Sequence, residues 1–252
     1  MTAAWATQFF EPTLEMLENA FRRLERRVEP PIRKGLEGGF VYRYEQRTIH
    51  QAIIQKIART ISGLHAIGAL LGRGLFQEQG MIQRALDEIG DDVAFLSFGL
   101  IYDDLTPRHA EYLEYFYAEE FDDPSDIMAS HKSRGMVSRD KIRAYVNAKL
   151  GPDATRANLA GKIITKAYSG FIHAASPHIM DMYGGVPPRF DISGEFKSLR
   201  GEEHANDALN YFLRALFSMT FAAKAFGDEE LFSEMRDAAG LLEKKMYSRQ
   251  TD

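Results

Sequence analysis

Four stretches of the chain concentrate side chains able to do chemistry. The segment YSGFIHAASPHIMDMYGG, Tyr168 to Gly185, sets two histidines, two serines, two tyrosines and an aspartate into a run otherwise apolar enough for a buried helix. RALDEIGDD spaces Asp87 and Asp91, and also Glu88 and Asp92, four residues apart. Carboxylates at that spacing share a helix face and can hold a divalent ion or act as acid and base. Arg84 lies three residues before Asp87 and four before Glu88, so a solvated ion-pair network on the polar flank of a helix is the competing reading. The basic stretch HKSRGMVSRDKIR, residues 131–143, offers His131, Lys132, Arg134, Arg139, Lys141 and Arg143. These suffice for phosphate contacts and equally suit a solvated crossover. In GEEHAND, Glu202, Glu203 and His204 are adjacent, so they point in different directions on a helix and read as an acidic helix start favoured by the macrodipole.

Several chemistries lack their motifs. There is no Glu-x-x-His pair for a di-iron bundle, and no His-Glu-x-x-His, Walker loop, strand-borne Gly-x-Gly-x-x-Gly or nucleophile elbow. His173, His178 and Asp181 are three candidate ligands from one short segment with no further cluster close by, too few to predict a metal centre. We expect no metal and no cofactor.

Composition bounds the rest. With 252 residues, 45% hydrophobic and 27% charged, the chain has the make-up of a globular protein large enough to bury a core without staples. A formal charge of -5 argues against nucleic-acid binding through bulk charge. The absence of cysteine excludes disulfides and thiolate chemistry and suits a reducing compartment. MTAAWATQFFEPTLEML has no basic segment followed by an apolar run, and charges interrupt every apolar stretch. The expected location is therefore the cytoplasm, with no membrane association.

The elements that must carry these residues are helices almost throughout. Phe10, Leu14, Leu17, Phe21, Leu24 and Val28 form one stripe, which must end at Pro30 and Pro31. Ile49, Ile53, Ile57, Ile61, Leu64, Gly68 and Leu71 form a second, and Ile82, Leu86, Ile89, Val93, Leu96 and Leu100 a third. The two long helices they define are expected to pack face to face as an antiparallel pair. Thr106 and Pro107 open an aromatic helix, and an exposed, mobile crossover follows, with Ser138 capping the next helix. Pro152 and Asp153 start another. GEEHANDALNYFLRALFSMTFAAKAF is apolar on nearly all sides and reads as a central helix, and Gly227 and Asp228 separate it from the last one. Only GGFVYRY and PRFDIS look extended. The expected fold is all-α, a single multi-helix bundle domain spanning 1–252 with its two long antiparallel helices in the N-terminal half.

Within the opening segment, Pro177 restricts Ser176 to an extended conformation, so the long helix should end near Ala175 and a short turn should start with Ser176 as cap. That break brings two polar faces together and predicts a pocket. His173 would lie inward near Tyr168 and Ser169, with His178 on the rim and Asp181 on its face.

YSGFIHAAS resembles the site of helical bundles in the HEPN superfamily, in which arginine, four to six residues and then histidine near the end of a late helix form a metal-independent ribonuclease site. Ser169 matches that family's small polar position and His173 its histidine, while Tyr168 stands where the arginine would be. The pattern is also similar to that of an uncharacterised all-helical bacterial family. A neutral phenol supplies no fixed positive charge to a phosphorane. Lys166, seven residues before His173, lies roughly on its face. Arg59 and His65 also have the family's spacing but fall mid-helix. Two functions follow from the resemblance. One is a non-catalytic HEPN-like bundle binding a partner protein or small-molecule ligand through Tyr168, Ser169, His173, Ser176, His178 and Asp181. The alternative is a ribonuclease acting on RNA, with His173 and Lys166, or an arginine of the crossover, as catalytic residues. Aromatic surplus on YLEYFYAEEF and on ALNYFLRALFSMTFAAKAF adds the expectation of a homodimer.

Overall fold

In a computed structural model, residues 4–250 are described except 37, 122–126, 132, 152–153 and 196–199, and for 127, 154–158, 160, 249 and 250 the backbone alone is described. The fold is predominantly α-helical with two small antiparallel hairpins. A short turn of helix α1 (Ala4–Thr7) leads into α2 (Phe10–Glu25), which buries the predicted stripe Phe10, Leu14, Leu17, Phe21 and Leu24. Beyond Pro30 and Pro31, β1 (Ile32–Leu36) pairs with β2 (Gly39–Arg43), Ile32 opposite Arg43 and Leu36 opposite Gly39. The sequence pattern marks the second strand but not its partner, because IRKGL is short and carries two charges.

Helix α3 (Ile49–Gly72) starts at Thr48, whose side chain accepts from the Gln51 N–H while the Gln51 side chain accepts from the Thr48 N–H, a reciprocal cap. Helix α4 (Phe76–Ile101) returns antiparallel to it, with Lys56 opposite Asp92 and Gly63 against Leu86. The predicted facing stripes meet. Ile53, Ile57, Ile61 and Leu64 share the core with Leu86, Val93 and Leu96.

Helix α5 (Pro107–Tyr117) begins at Thr106 with His109 taking the place of the usual glutamate: its Nδ1 accepts the Thr106 N–H at 3.0 Å, and its Nε2 lies 3.1 Å from the Phe95 carbonyl. These contacts suit the neutral tautomer that carries its proton on Nε2. Beyond the crossover come α6 (Arg139–Leu150), α7 (Ala154–Ile172) and α8 (Ser176–Met180), then the two-residue strands β3 (Tyr183–Gly184) and β4 (Arg189–Phe190), then α9 (Gly201–Ala225) and α10 (Glu229–Gln250).

Helix α9 is central, as its composition predicts, but so is α4, which packs against α3, α6, α7 and α9. Much of the aromatic surface on the two faces from which a dimer was expected packs within the chain, while Phe121 is exposed. Tyr112 is buried, Tyr115, Phe116 and Tyr117 pack on the core, and α9 buries Tyr211, Phe212, Leu216 and Met219. Pro152, Asp153 and Lys132 lie outside the described residues. Of the expected open crossover, Val137 is buried. Among the described residues no helix is long and apolar enough to cross a membrane.

Truncating Leu86, 6% exposed at the α3–α4 contact, to alanine is expected to cost roughly 2–5 kcal/mol in urea denaturation; a loss below 1 would contradict the packing described. Burial lowers the pKa of His109, His50 and His204 below the ordinary histidine value. At these three sites the unfolded chain takes up protons before the native one as pH falls through about 6.5, so the histidines contribute a loss of stability in that region. A His109→Gln variant should be less stable at pH 7 and should lose less stability than wild type between pH 7 and 5.

Candidate functional site

The residues of the Tyr168–Gly185 segment do not converge on one pocket. Helix α7 stops at Ile172 rather than Ala175, because Ala174 adopts a left-handed conformation (φ 49°) and turns the chain. His173 is exposed, not inward, and its backbone N–H still bonds the Ser169 carbonyl at 3.1 Å. Ser176 is exposed and is the first helical residue of α8, with Ala175 in the cap position and no side-chain cap. The packed imidazole is that of His178. Its ring lies so close over Gly170 that a Cβ there would sit 2.0 Å from Cε1, its Nε2 is 3.0 Å from the Ala167 carbonyl, and its edge meets Phe171. His178 thus ties α8 to α7. Asp181 forms an exposed ion pair with Arg200 at 2.5 Å. Ser169 is half-buried, and Tyr168 turns into the bundle, donating to Asp207 Oδ2 at 3.3 Å beside Tyr211.

Lys166 and His173 are both exposed on α7 and its C-terminal turn. Seven residues of helix separate them by roughly 10 Å along the axis. The crossover arginines are further off. Phe171 packs on Gly80 of α4, whereas Arg139 reaches the Glu88 carbonyl and Asp92, about 12–18 Å along α4.

What the fold does bring together is the acidic run of α4. The expected solvated ion-pair flank holds for Glu88, half-exposed and paired with Arg84, but not for Asp87 and Asp92, which are buried at 4% and 3% exposure because neighbouring helices cover them. Each carboxylate meets a cation. Arg214 of α9 reaches Asp87 at 2.5 Å, Arg84 reaches Glu88 at 2.7 Å, and Arg143 of α6 reaches Asp91 at 2.7 Å. Asp92 takes two, Lys56 of α3 at 2.7 Å on Oδ2 and Arg139 of α6 at 2.6 Å on Oδ1. Arg139 Nη1 forms this ion pair and also donates to the Glu88 carbonyl at 3.1 Å. Burial raises the pKa of Asp87 and Asp91 against the pull of their arginines. Burial is the largest single influence on Arg139 and works against its cation, but Asp92, Glu88 and Tyr112 together outweigh it and its pKa rises. Tyr112, desolvated beside Asp92, is held well above the usual phenol range.

The Asp92 end of this network opens into a cavity of about 470 Å³ whose lining includes Lys56, Asp92 and Arg139 as well as Tyr112, Tyr115, Phe116 and Val137, with Arg134 and Glu120 also on its wall. Lys56 Nζ lies 5.0 Å from the Phe116 ring centroid and 5.7 Å from that of Tyr112. Gly135 lets the crossover pass under Tyr115: a Cβ at 135 would stand 2.4 Å from the tyrosine ring. The volume is within the range of small-molecule sites. Asp87 faces a different seam, where Tyr211 and Tyr168 connect it towards Asp207.

Two of the stretches singled out in the sequence, RALDEIGDD and HKSRGMVSRDKIR, therefore meet at one site through Asp92, Arg134 and Arg139. Lys56 and Tyr112 were not anticipated. Lys56 is the one cation inside the apolar stretch IHQAIIQKIA, and that was the available signal. Among the described residues no group of three or more histidines, aspartates and glutamates is arranged to hold a metal. No protein family, curated protein or solved structure matches the chain.

The two ends of the network should respond differently to loss of a carboxylate. Asp92→Asn strands Lys56 and Arg139, each only 18% exposed, and is expected to cost about 3–5 kcal/mol in urea denaturation. Asp87→Asn leaves Arg214, 45% exposed, free to hydrate, at a cost on the order of 1 kcal/mol. Equal losses would refute this assignment of burial.

Proposed function

We propose that the protein is a non-catalytic, HEPN-like helical bundle that binds a small organic anion in the cavity bounded by α3, α4, α5 and residues 134–139. One observation carries this reading: two half-buried cations, Lys56 and Arg139, share the single buried carboxylate of Asp92 on the wall of an open cavity. A cation surplus held away from water is electrostatically costly, and an anion entering the cavity relieves it. The HEPN-like part rests on the YSGFIHAAS pattern and the all-helical plan. The ribonuclease alternative would use exposed His173 with Lys166, and no contact between them supports it.

The test is thermal unfolding of the full chain against millimolar organic anions and their neutral analogues. An anion present at 100 times its Kd is expected to stabilise the fold by about 2.7 kcal/mol. The gain should vanish in Lys56→Met and Arg139→Gln and persist in His173→Ala. Stabilisation by no anion, or equal stabilisation of Arg139→Gln, would overturn the proposal. RNA cleavage lost specifically in His173→Ala would establish the ribonuclease instead.

A further inference from the structure

The ion-pair network has a definite charge balance. Among the described residues, the four carboxylates Asp87, Glu88, Asp91 and Asp92 are met by five cations, Lys56, Arg84, Arg139, Arg143 and Arg214. Arg143 and Arg214 each serve one aspartate and Arg84 serves Glu88, so the excess of a single positive charge resides on the Lys56–Asp92–Arg139 triad. On the wall of the cavity, Arg134 and Glu120 form a pair of their own at 3.5 Å and leave that balance unchanged. Asp207 accepts from Tyr168, and burial raises its pKa. Donor capacity is present at the triad. Arg139 Nε is buried without a hydrogen-bond partner among the described residues, and Asp92 is the one hydrogen-bond acceptor shown for Lys56, which has three N–H groups.

Resting on the anion-binding reading, we infer that the ligand of this cavity is a monocarboxylate with an apolar, ring-sized body. The charge decides the head group. One negative charge neutralises the triad, whereas a phosphate dianion would leave a net negative charge beside Asp92, Glu88 and Glu120, all of which line the cavity. A planar carboxylate matches a guanidinium and an ammonium held side by side. The walls decide the body. The Tyr112, Tyr115 and Phe116 rings and the buried Val137 present apolar surface next to the cations, the combination typical of sites that fix a small molecule by one polar anchor. A nucleic acid backbone, with a charge at every residue, finds no track of cations here, because Arg134 is paired with Glu120.

Calorimetric titration of the full chain with 3-phenylpropionate, its neutral amide, phenyl phosphate and a short oligoadenylate tests this. The carboxylate is expected to bind at least tenfold more tightly than the amide and than phenyl phosphate, and Arg139→Gln should weaken it at least tenfold. Glu120→Gln removes an exposed carboxylate of the cavity wall (66% exposed), frees exposed Arg134 and adds one positive charge to the balance, so it should shift preference towards phenyl phosphate while the melting temperature stays close to wild type. Phenyl phosphate or oligoadenylate binding wild type more tightly than the carboxylate, in a manner that Arg139→Gln abolishes, would overturn the monocarboxylate class and leave the anion site standing. Amide binding equal to that of the carboxylate, or binding of no probe sensitive to Arg139→Gln, would overturn both.

Discussion

Four carboxylates on little more than one turn of a surrounded helix are the constraint on which this structure depends. Helix α4 leaves only Glu88 half-exposed along its acidic run, so the helices that cover the aspartates supply positive charge: Lys56 from α3, Arg139 and Arg143 from α6, Arg214 from α9. Burying an ion costs several kcal/mol unless a partner compensates it. A slip of any of these helices by one turn against α4 would leave charges unpaired in the core. The apolar stripes press the helices together, and the ion pairs select the register in which they do so. Buried pairs of this kind add little net stability compared with apolar packing, but breaking one is expensive, and that asymmetry is what makes them effective at specifying an arrangement.

The same network produces the candidate site. At three of the carboxylates the pairing is one to one, whereas at Asp92 two cations converge where the crossover and α5 leave a cavity. Gly135 lets the crossover backbone lie against Tyr115, so that the wall combines cations with aromatic rings. A ligand that neutralises the triad would complete a charge balance that the chain alone leaves at an excess of one. Binding and fold specification thus draw on the same side chains.

The Tyr168–Gly185 segment has a different place. Its histidines are divided between solvent and packing: His173 is exposed on the turn after α7, and His178 fills the space above Gly170 and fastens α8 to α7. Tyr168 joins Tyr211 and Asp207 in the seam behind α4. The positive φ at Ala174 separates the polar residues of this segment between α7 and the short α8, so they do not share one face.

By itself the sequence determined the helices, because spacing of apolar residues and capping chemistry are local. Ile49 to Leu71 and Ile82 to Leu100 each define a stripe that the fold uses, and Thr106 and Pro107 mark a helix start where the structure has it. It could not say which way the acidic run of α4 faces. Phe95 and Phe98, both buried, extend the apolar surface of α4 beyond its main stripe, so periodicity offers no outward side, and the acids read as a solvated flank. The partners that decide the matter lie 36 residues away for Lys56, 52 for Arg143 and 127 for Arg214. Only the tertiary packing brings those cations to α4, because the cost of an unpaired buried charge is felt when the helices close over it and not before. The placement of His173 was undecidable for a related reason: a left-handed residue at Ala174 redirects the chain by less than one turn of helix, and no residue type at that position announces it.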